Sequence, residues 1–156
     1  MDRHNRKPTR IPNYDYSRNN YYFVTLCAHE RKCIFGSPNC LSLLGKIAER
    51  DLNDIGKHFP TVSIDKYVVM PNHIHAIVVI DNGIDAENKT SLINIVGQYK
   101  AGVSRKIHTL CDIQLIWQRS FHDRVIRNQK EYEKIWMYIE TNPLRWNKDC
   151  FYTEES

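Results

Sequence analysis

Two apolar, β-branched runs, residues 62–70 (VSIDKYVVM) and 73–80 (HIHAIVVI), flank the dipeptide Pro71-Asn72. Proline has no N–H to donate and a fixed φ, so neither run continues through it, and proline followed by asparagine favours a tight turn. The two runs predict a β-hairpin around which the rest of the chain must be built. Residues 21–28 (YYFVTLCA) read as another strand, and residues 116–121 (IWQRSF) as a short fourth one. Leu44, Ile47, Ala48, Leu52 and Ile55 recur at helical spacing, with Gly56 as the stop. Leu92, Ile95, Val96, Tyr99, Val103 and Ile107 mark a second helix, and residues 81–90 a loop before it. A third helix spans residues 128–142, with Asn128 as N-cap, Glu131 three residues on, and Pro143 just past its end. The order predicts an α+β chain: a ferredoxin-like βαββαβ antiparallel sheet with helices on one face, plus a C-terminal helix.

At 156 residues the chain is one domain, long enough to bury a real core. Three stretches follow: a basic arm at 1–20, a body at 21–146 and a short tail at 147–156. No run of 18 apolar residues is present and the first residues lack the apolar centre of a secretory signal, so no membrane association is expected. Five cysteines, none in a C-x-x-C pair, read as reduced thiols of a cytoplasmic protein. The net charge of +4 is modest, but it is unevenly placed. Residues 1–10 carry a net +3 and residues 100–127 a net +4, leaving the remainder slightly acidic. Two phosphate-facing patches on a near-neutral body would look like this, although solvated lysines and arginines would too.

His73 and His75 alternate along a strand, so both imidazoles leave the same face, spaced to share one metal ion. Tyr138 and Asn142 are four apart on a helix and lie along one edge of its apolar stripe, Tyr132, Ile135, Trp136 and Ile139. Two imidazoles, an amide oxygen and a phenol suit one chemistry. A divalent ion polarises a phosphate oxygen while the tyrosine attacks phosphorus and forms a covalent phosphotyrosine. The ion matters because a phenol with its ordinary pKa of about 10 is mostly protonated at neutral pH. Serine hydrolysis and P-loop chemistry lack their motifs: there is no G-x-S-x-G elbow and no G-x-x-x-x-G-K-[ST] loop.

The stretch YVVMPNHIHAIVVI resembles the HUH motif of the single-tyrosine transposases. IWQRSFHDRVIRNQKEYEKIWMYIETNPLRW resembles the C-terminal signature of the REP-associated tyrosine transposases, as RIPNYDYSRNNYYFVTLCAHERKCIFG and SLINIVGQYKAGVSRKI resemble its opening and middle. The likeness runs over roughly residues 10–146. It implies that His73, His75 and Asn142 hold Mg²⁺ or Mn²⁺, and that Tyr138 is the nucleophile that joins the DNA 5′ phosphate and leaves a 3′ hydroxyl. Two imidazoles favour Mn²⁺, since Mg²⁺ prefers oxygen. The implied substrate is single-stranded DNA folded into hairpins, bound in the cytoplasm at the nucleoid by a monomer or homodimer. Lys100, Arg105, Lys106, Arg124 and Arg127 would meet its phosphates, with Arg6 and Arg10 of the arm tracking the hairpin. Tyr14, Tyr16, Trp117 and Phe121 are candidates for stacking on bases, although core packing is the plainer role for the last two.

Two other readings compete. A zinc hydrolase would use the same histidine pair with His122 or Asp123 as third ligand. A non-catalytic module would bind single strands on the exposed aromatics of YYFVTL.

Overall fold

The structure is a computed structural model, and it describes residues 10–83 and 89–153. Arg6 lies outside the described residues. In chain order the elements are β1 (Asn20–Cys27), β2 (Gly36–Ser37), β3 (Cys40–Leu41), α1 (Leu43–Asn53), α2 (Ile55–His58), β4 (Val62–Met70), β5 (His73–Ile80), α3 (Leu92–His108), β6 (His122–Ile126) and α4 (Gln129–Thr141). A 3₁₀ turn, His29–Arg31, follows β1, and another, Asn142–Lys148, continues from α4. The main sheet has the order β4-β5-β1-β6, every neighbour antiparallel. That is the ferredoxin-like arrangement, with β2 and β3 forming a small separate hairpin.

The pleat sorts side chains between two cores. Tyr22, Val24 and Leu26 of β1 and Ile74, Ala76 and Val78 of β5 are buried with Ala48 and Leu52 of α1 and with Leu92, Ile95, Tyr99, Val103 and Ile107 of α3. The other face carries Phe23, Ile77 and Ile126, covered by Ile135 and Ile139 of α4. His73 and His75, being of Ile77's parity on β5, look toward α4. The register sets Thr25 opposite His75 and Cys27 opposite His73.

The hairpin of β4 and β5 turns at Pro71-Asn72, and α3 and α4 run within a residue of the predicted bounds. The Asn128 side chain caps α4, accepting from the Glu131 amide. Two expectations are corrected. The fourth strand is His122–Ile126, not residues 116–121, so the strand lies in the stretch between the expected strand and the last helix. Trp117 makes a single bridge to Ala28, and its ring goes inward against Phe35 and Tyr99. Lys100 Nζ holds the carbonyl oxygens of Gln118 and Ser120, diverting that segment from a ladder. The second correction concerns Gly56. The first helix ends at Asn53, a kink at Asp54 starts one further turn, and Gly56 sits inside that turn.

Candidate active site

His73 and His75 stand at the start of β5, a strand bonded on both sides, which fixes their backbone positions. Their rings meet edge to face at 4.5 Å between centroids. Both are buried, 0% and 1% exposed. The Nδ1 atoms have partners. His73 Nδ1 lies 2.8 Å from Asn72 Oδ1, and His75 Nδ1 lies 2.8 Å from Thr25 Oγ1. The Nε2 atoms are buried and have none among the described residues.

Asn72 decides the tautomer of His73. Its Nδ2 donates to the backbone carbonyls of Phe151, at 2.7 Å, and Arg31, at 3.2 Å. The atom facing His73 is therefore the amide oxygen, an acceptor, and Nδ1 of His73 carries the proton. Nε2 is left with a lone pair. Burial lowers the His73 pKa to about 4, only partly offset by Asp149. Burial also holds His75 well below the ordinary histidine range, and the neighbouring His73 adds to the effect. Both imidazoles are thus neutral at pH 7, the form that binds metal.

α4 brings in the remaining groups. Tyr138 is 38% exposed, its ring edge-on to His75 at 5.2 Å and to Phe23 at 6.3 Å. Burial, and next the Asp149 carboxylate, raise its pKa above the ordinary phenol value. One turn on, Asn142 is 3% exposed, and its Oδ1 is a third buried atom without a hydrogen-bond partner. Its Nδ2 donates to Asp149 Oδ2 at 2.8 Å. Asp149 also approaches His73 Nε2, at 3.8 Å. Ligand atoms of His73, His75 and Asp149 lie within 4.8 Å of one another. Phe151 and Trp146 close the far side, 4.6 Å and 6.1 Å from the His73 ring.

Three buried polar atoms without hydrogen-bond partners among the described residues are costly unless something occupies the space between them. Two imidazole nitrogens, an amide oxygen and a nearby carboxylate are a donor set that suits a divalent ion, so the residues fit such a metal. The Nδ1 contacts orient the histidines as partners of metal-binding imidazoles do.

Asp149, Asn72 and Thr25 were not anticipated. Asp149 lies beyond Pro143 and past the end of α4, where a spacing counted from Asn142 carries no meaning, whereas Asn72 was visible as the turn residue beside His73. His122 and Asp123 do not join the cluster; Asp123 is held by Arg10 at 2.7 Å.

The basic residues divide. Lys130, Lys134 and Arg145 line a surface cavity of about 590 Å³ with Tyr138. Their spacing, Lys130, Lys134, Tyr138, Asn142, is a stripe of fours that the sequence displays. Arg124 is paired with Glu131 on this side of the sheet, and Arg127 lines a second cavity with Tyr21 and Tyr132. Arg10 lies over the Phe121 ring, at 3.6 Å, and bonds its carbonyl. Lys100 is committed to the two carbonyls noted above. Arg105 and Lys106 line a groove between α1 and α3, on the opposite side of the sheet from α4, and Lys106 pairs with Asp51. Of the aromatics, Tyr16 and Phe121 are buried, Tyr14 packs on Tyr16 and Tyr22, and Trp117 packs inward.

No family model matches the chain. It is 30% identical over 171 residues to a Haemophilus influenzae protein described as uncharacterised, covering 97% of this chain and 95% of that one. It is 28% identical over 82 residues to the REP-associated tyrosine transposase of Escherichia coli, 53% of this chain and 44% of that one. Among solved structures, it matches the REP-associated tyrosine transposase bound to a REP hairpin with a TM-score of 0.65 at 20% identity, covering 87% of this chain and 73% of that one. A proposed transposase of Deinococcus radiodurans matches with a TM-score of 0.53 at 15% identity, over 85% of this chain and 95% of that one. The two structural likenesses are likenesses of fold.

Proposed function

We propose that the chain is a member of the REP-associated tyrosine transposases, which it resembles over half its sequence and in fold, and that it is a metal-dependent HUH endonuclease and strand transferase acting on single-stranded hairpin DNA. The observation that carries this is the convergence of three buried, unpartnered ligand atoms, His73 Nε2, His75 Nε2 and Asn142 Oδ1, beside the exposed ring of Tyr138. His73, His75 and Asn142 would hold Mg²⁺ or Mn²⁺. When bound, the ion supplies Lewis acidity to a phosphate oxygen and favours the phenolate form of a nearby tyrosine.

The protein's own residues do the rest. Thr25 and Asn72 keep the histidines presenting Nε2. The rings of His75 and Phe23 fix the plane of Tyr138. Lys130, Lys134 and Arg145 draw the DNA backbone toward it. Tyr138 Oη attacks phosphorus and gives up its proton to solvent. The bond from phosphorus to the 3′ oxygen breaks, that oxygen takes up a proton, and a 5′-phosphotyrosine and a free 3′ hydroxyl result. The reverse attack by a 3′ hydroxyl restores a phosphodiester without an external energy source.

The partner is a folded single strand, as in the relative solved with a REP hairpin. α4 returns to its own sheet, so one chain supplies every group named, which suits a monomer as well as a homodimer. No helix among the described residues is long and apolar enough to cross a membrane; work on DNA would place the protein at the nucleoid in the cytoplasm.

Mixed with hairpin single strands and Mn²⁺, the protein is expected to cut them, and EDTA to stop the reaction. Tyr138→Phe should abolish cutting while leaving hairpin binding. The competing reading is a zinc hydrolase, favoured by the two-histidine-one-carboxylate grouping. It predicts that Tyr138→Phe stays active, and that result would overturn the tyrosine assignment.

A further inference from the structure

The carboxyl group of Asp149 is buried beside the histidine pair. Its side chain is 1% exposed. Buried carboxylates are ordinarily held by a cation or a metal. Among the described residues its one ion-pair contact is His73, 3.8 Å away. Two hydrogen bonds hold the group. Asn142 Nδ2 donates to Oδ2 at 2.8 Å, and the Phe151 amide donates to Oδ1 at 2.9 Å. Neither donor brings positive charge. The same carboxylate lies within 4.8 Å of the ligand nitrogens of both histidines, a span that one ion with bonds of about 2.0–2.2 Å closes with small movements of side chains.

Resting on the metal-dependent reading above, we propose that Asp149 is a fourth protein ligand of that centre, adding a carboxylate oxygen to the two imidazoles and the Asn142 amide. Chemistry favours this. A neutral set of two nitrogens and one amide oxygen is a poor match for Mg²⁺, whereas an anionic oxygen raises the attraction for any hard divalent ion. The carboxylate also accepts from Asn142 Nδ2 and so turns Asn142 Oδ1 toward the histidines. The stretch from Asp149 to Phe151 is latched at its far end, where Phe151 O accepts from Asn72 Nδ2. Asp149 is therefore held over the histidines by the residue that sets the tautomer of one of them.

The test measures metal binding to the full chain without DNA, by the free Mn²⁺ signal in electron paramagnetic resonance. Asp149→Asn keeps an oxygen for Asn142 and removes only the charge. It should melt as the wild type does and bind Mn²⁺ about tenfold or more weakly. His75→Ala should lose binding at least as far. If Asp149→Asn binds like the wild type while His75→Ala does not, Asp149 is no ligand and the histidine centre stands. If His75→Ala also binds like the wild type, the metal-dependent reading itself fails, and this proposal with it. A second readout is independent of how the variants fold: in wild-type protein labelled with ¹³C-aspartate, Mn²⁺ should broaden the Asp149 carboxylate resonance. An Asp149 resonance that stays sharp while the His75 ring signals vanish overturns the proposal.

Discussion

Asn72 donates through Nδ2 to two backbone carbonyls, which leaves its oxygen to meet His73 Nδ1. A side chain that touches no substrate thus controls which nitrogen of His73 faces the centre. Asn72→Ala should weaken Mn²⁺ binding by about 10–100-fold, and ¹⁵N spectra should show His73 as a mixture of tautomers. A single tautomer with unchanged affinity would contradict this role. Lys100 makes the opposite case, a residue that sequence reading placed on DNA and that the structure ties to its own backbone. Burial lowers its pKa from 10.5 to about 8. The folded state therefore resists the charged form, so the cost of burying the ammonium is full below pH 8 and fades as pH rises from 8 to 10.5. Over that window the wild type should gain stability relative to Lys100→Met, read as a shift in urea midpoint. A constant difference would contradict it. At this scale the sequence displayed residues with a regular spacing, His73 with His75 and Tyr138 with Asn142. It hid Thr25 and Asp149, which meet the centre only through strand register and chain return.

α4 serves the site by standing still. Its N-cap, Asn128, is bonded to the Glu131 amide at 2.8 Å, and Ile139, next to Tyr138, is 1% exposed against Ile77, Ile126 and Ile135. Asn128→Ala should cost about 1 kcal/mol of stability. Ile139→Ala should cost roughly 2–5 kcal/mol by urea unfolding. Because it loosens the turn that carries Tyr138, its loss of cleavage should exceed its loss of hairpin binding. The periodicity of α4 was plain in the sequence because its apolar set faces one core, and the β4–β5 hairpin was plain because β5 is apolar on both faces. β6 was not. Its segment, HDRVI, is an edge strand in which Asp123 and Arg124 are neutralised by Arg10 and Glu131, so polar letters concealed a paired strand. The aromatics just before it looked more like a strand, yet they serve as packing under α3.

Across the whole molecule, charge is placed by face. The side of the sheet under α4 holds Tyr138 with Lys130, Lys134 and Arg145, while Arg105 and Lys106 lie across the sheet beside Asp51. Arg145→Ala should weaken hairpin binding and reduce the slope of log affinity against log salt by about 1, whereas Lys106→Ala should leave both unchanged. The net +4 could not reveal this, since only folding decides which positive groups share a surface. The fold class was legible because the alternation of strand and helix patterns admits few layered arrangements. The tail beyond Trp146 was not, because a short polar segment has no pattern until it finds the histidines. The account turns on one covalent bond. Hairpin single-stranded DNA should be incubated with the protein and Mn²⁺, the SDS-resistant adduct digested, and the linked peptide sequenced by mass spectrometry. The account predicts a 5′-phosphonucleotide on Tyr138; an adduct on any other residue, or cleavage that proceeds with no adduct and survives Tyr138→Phe, would contradict it.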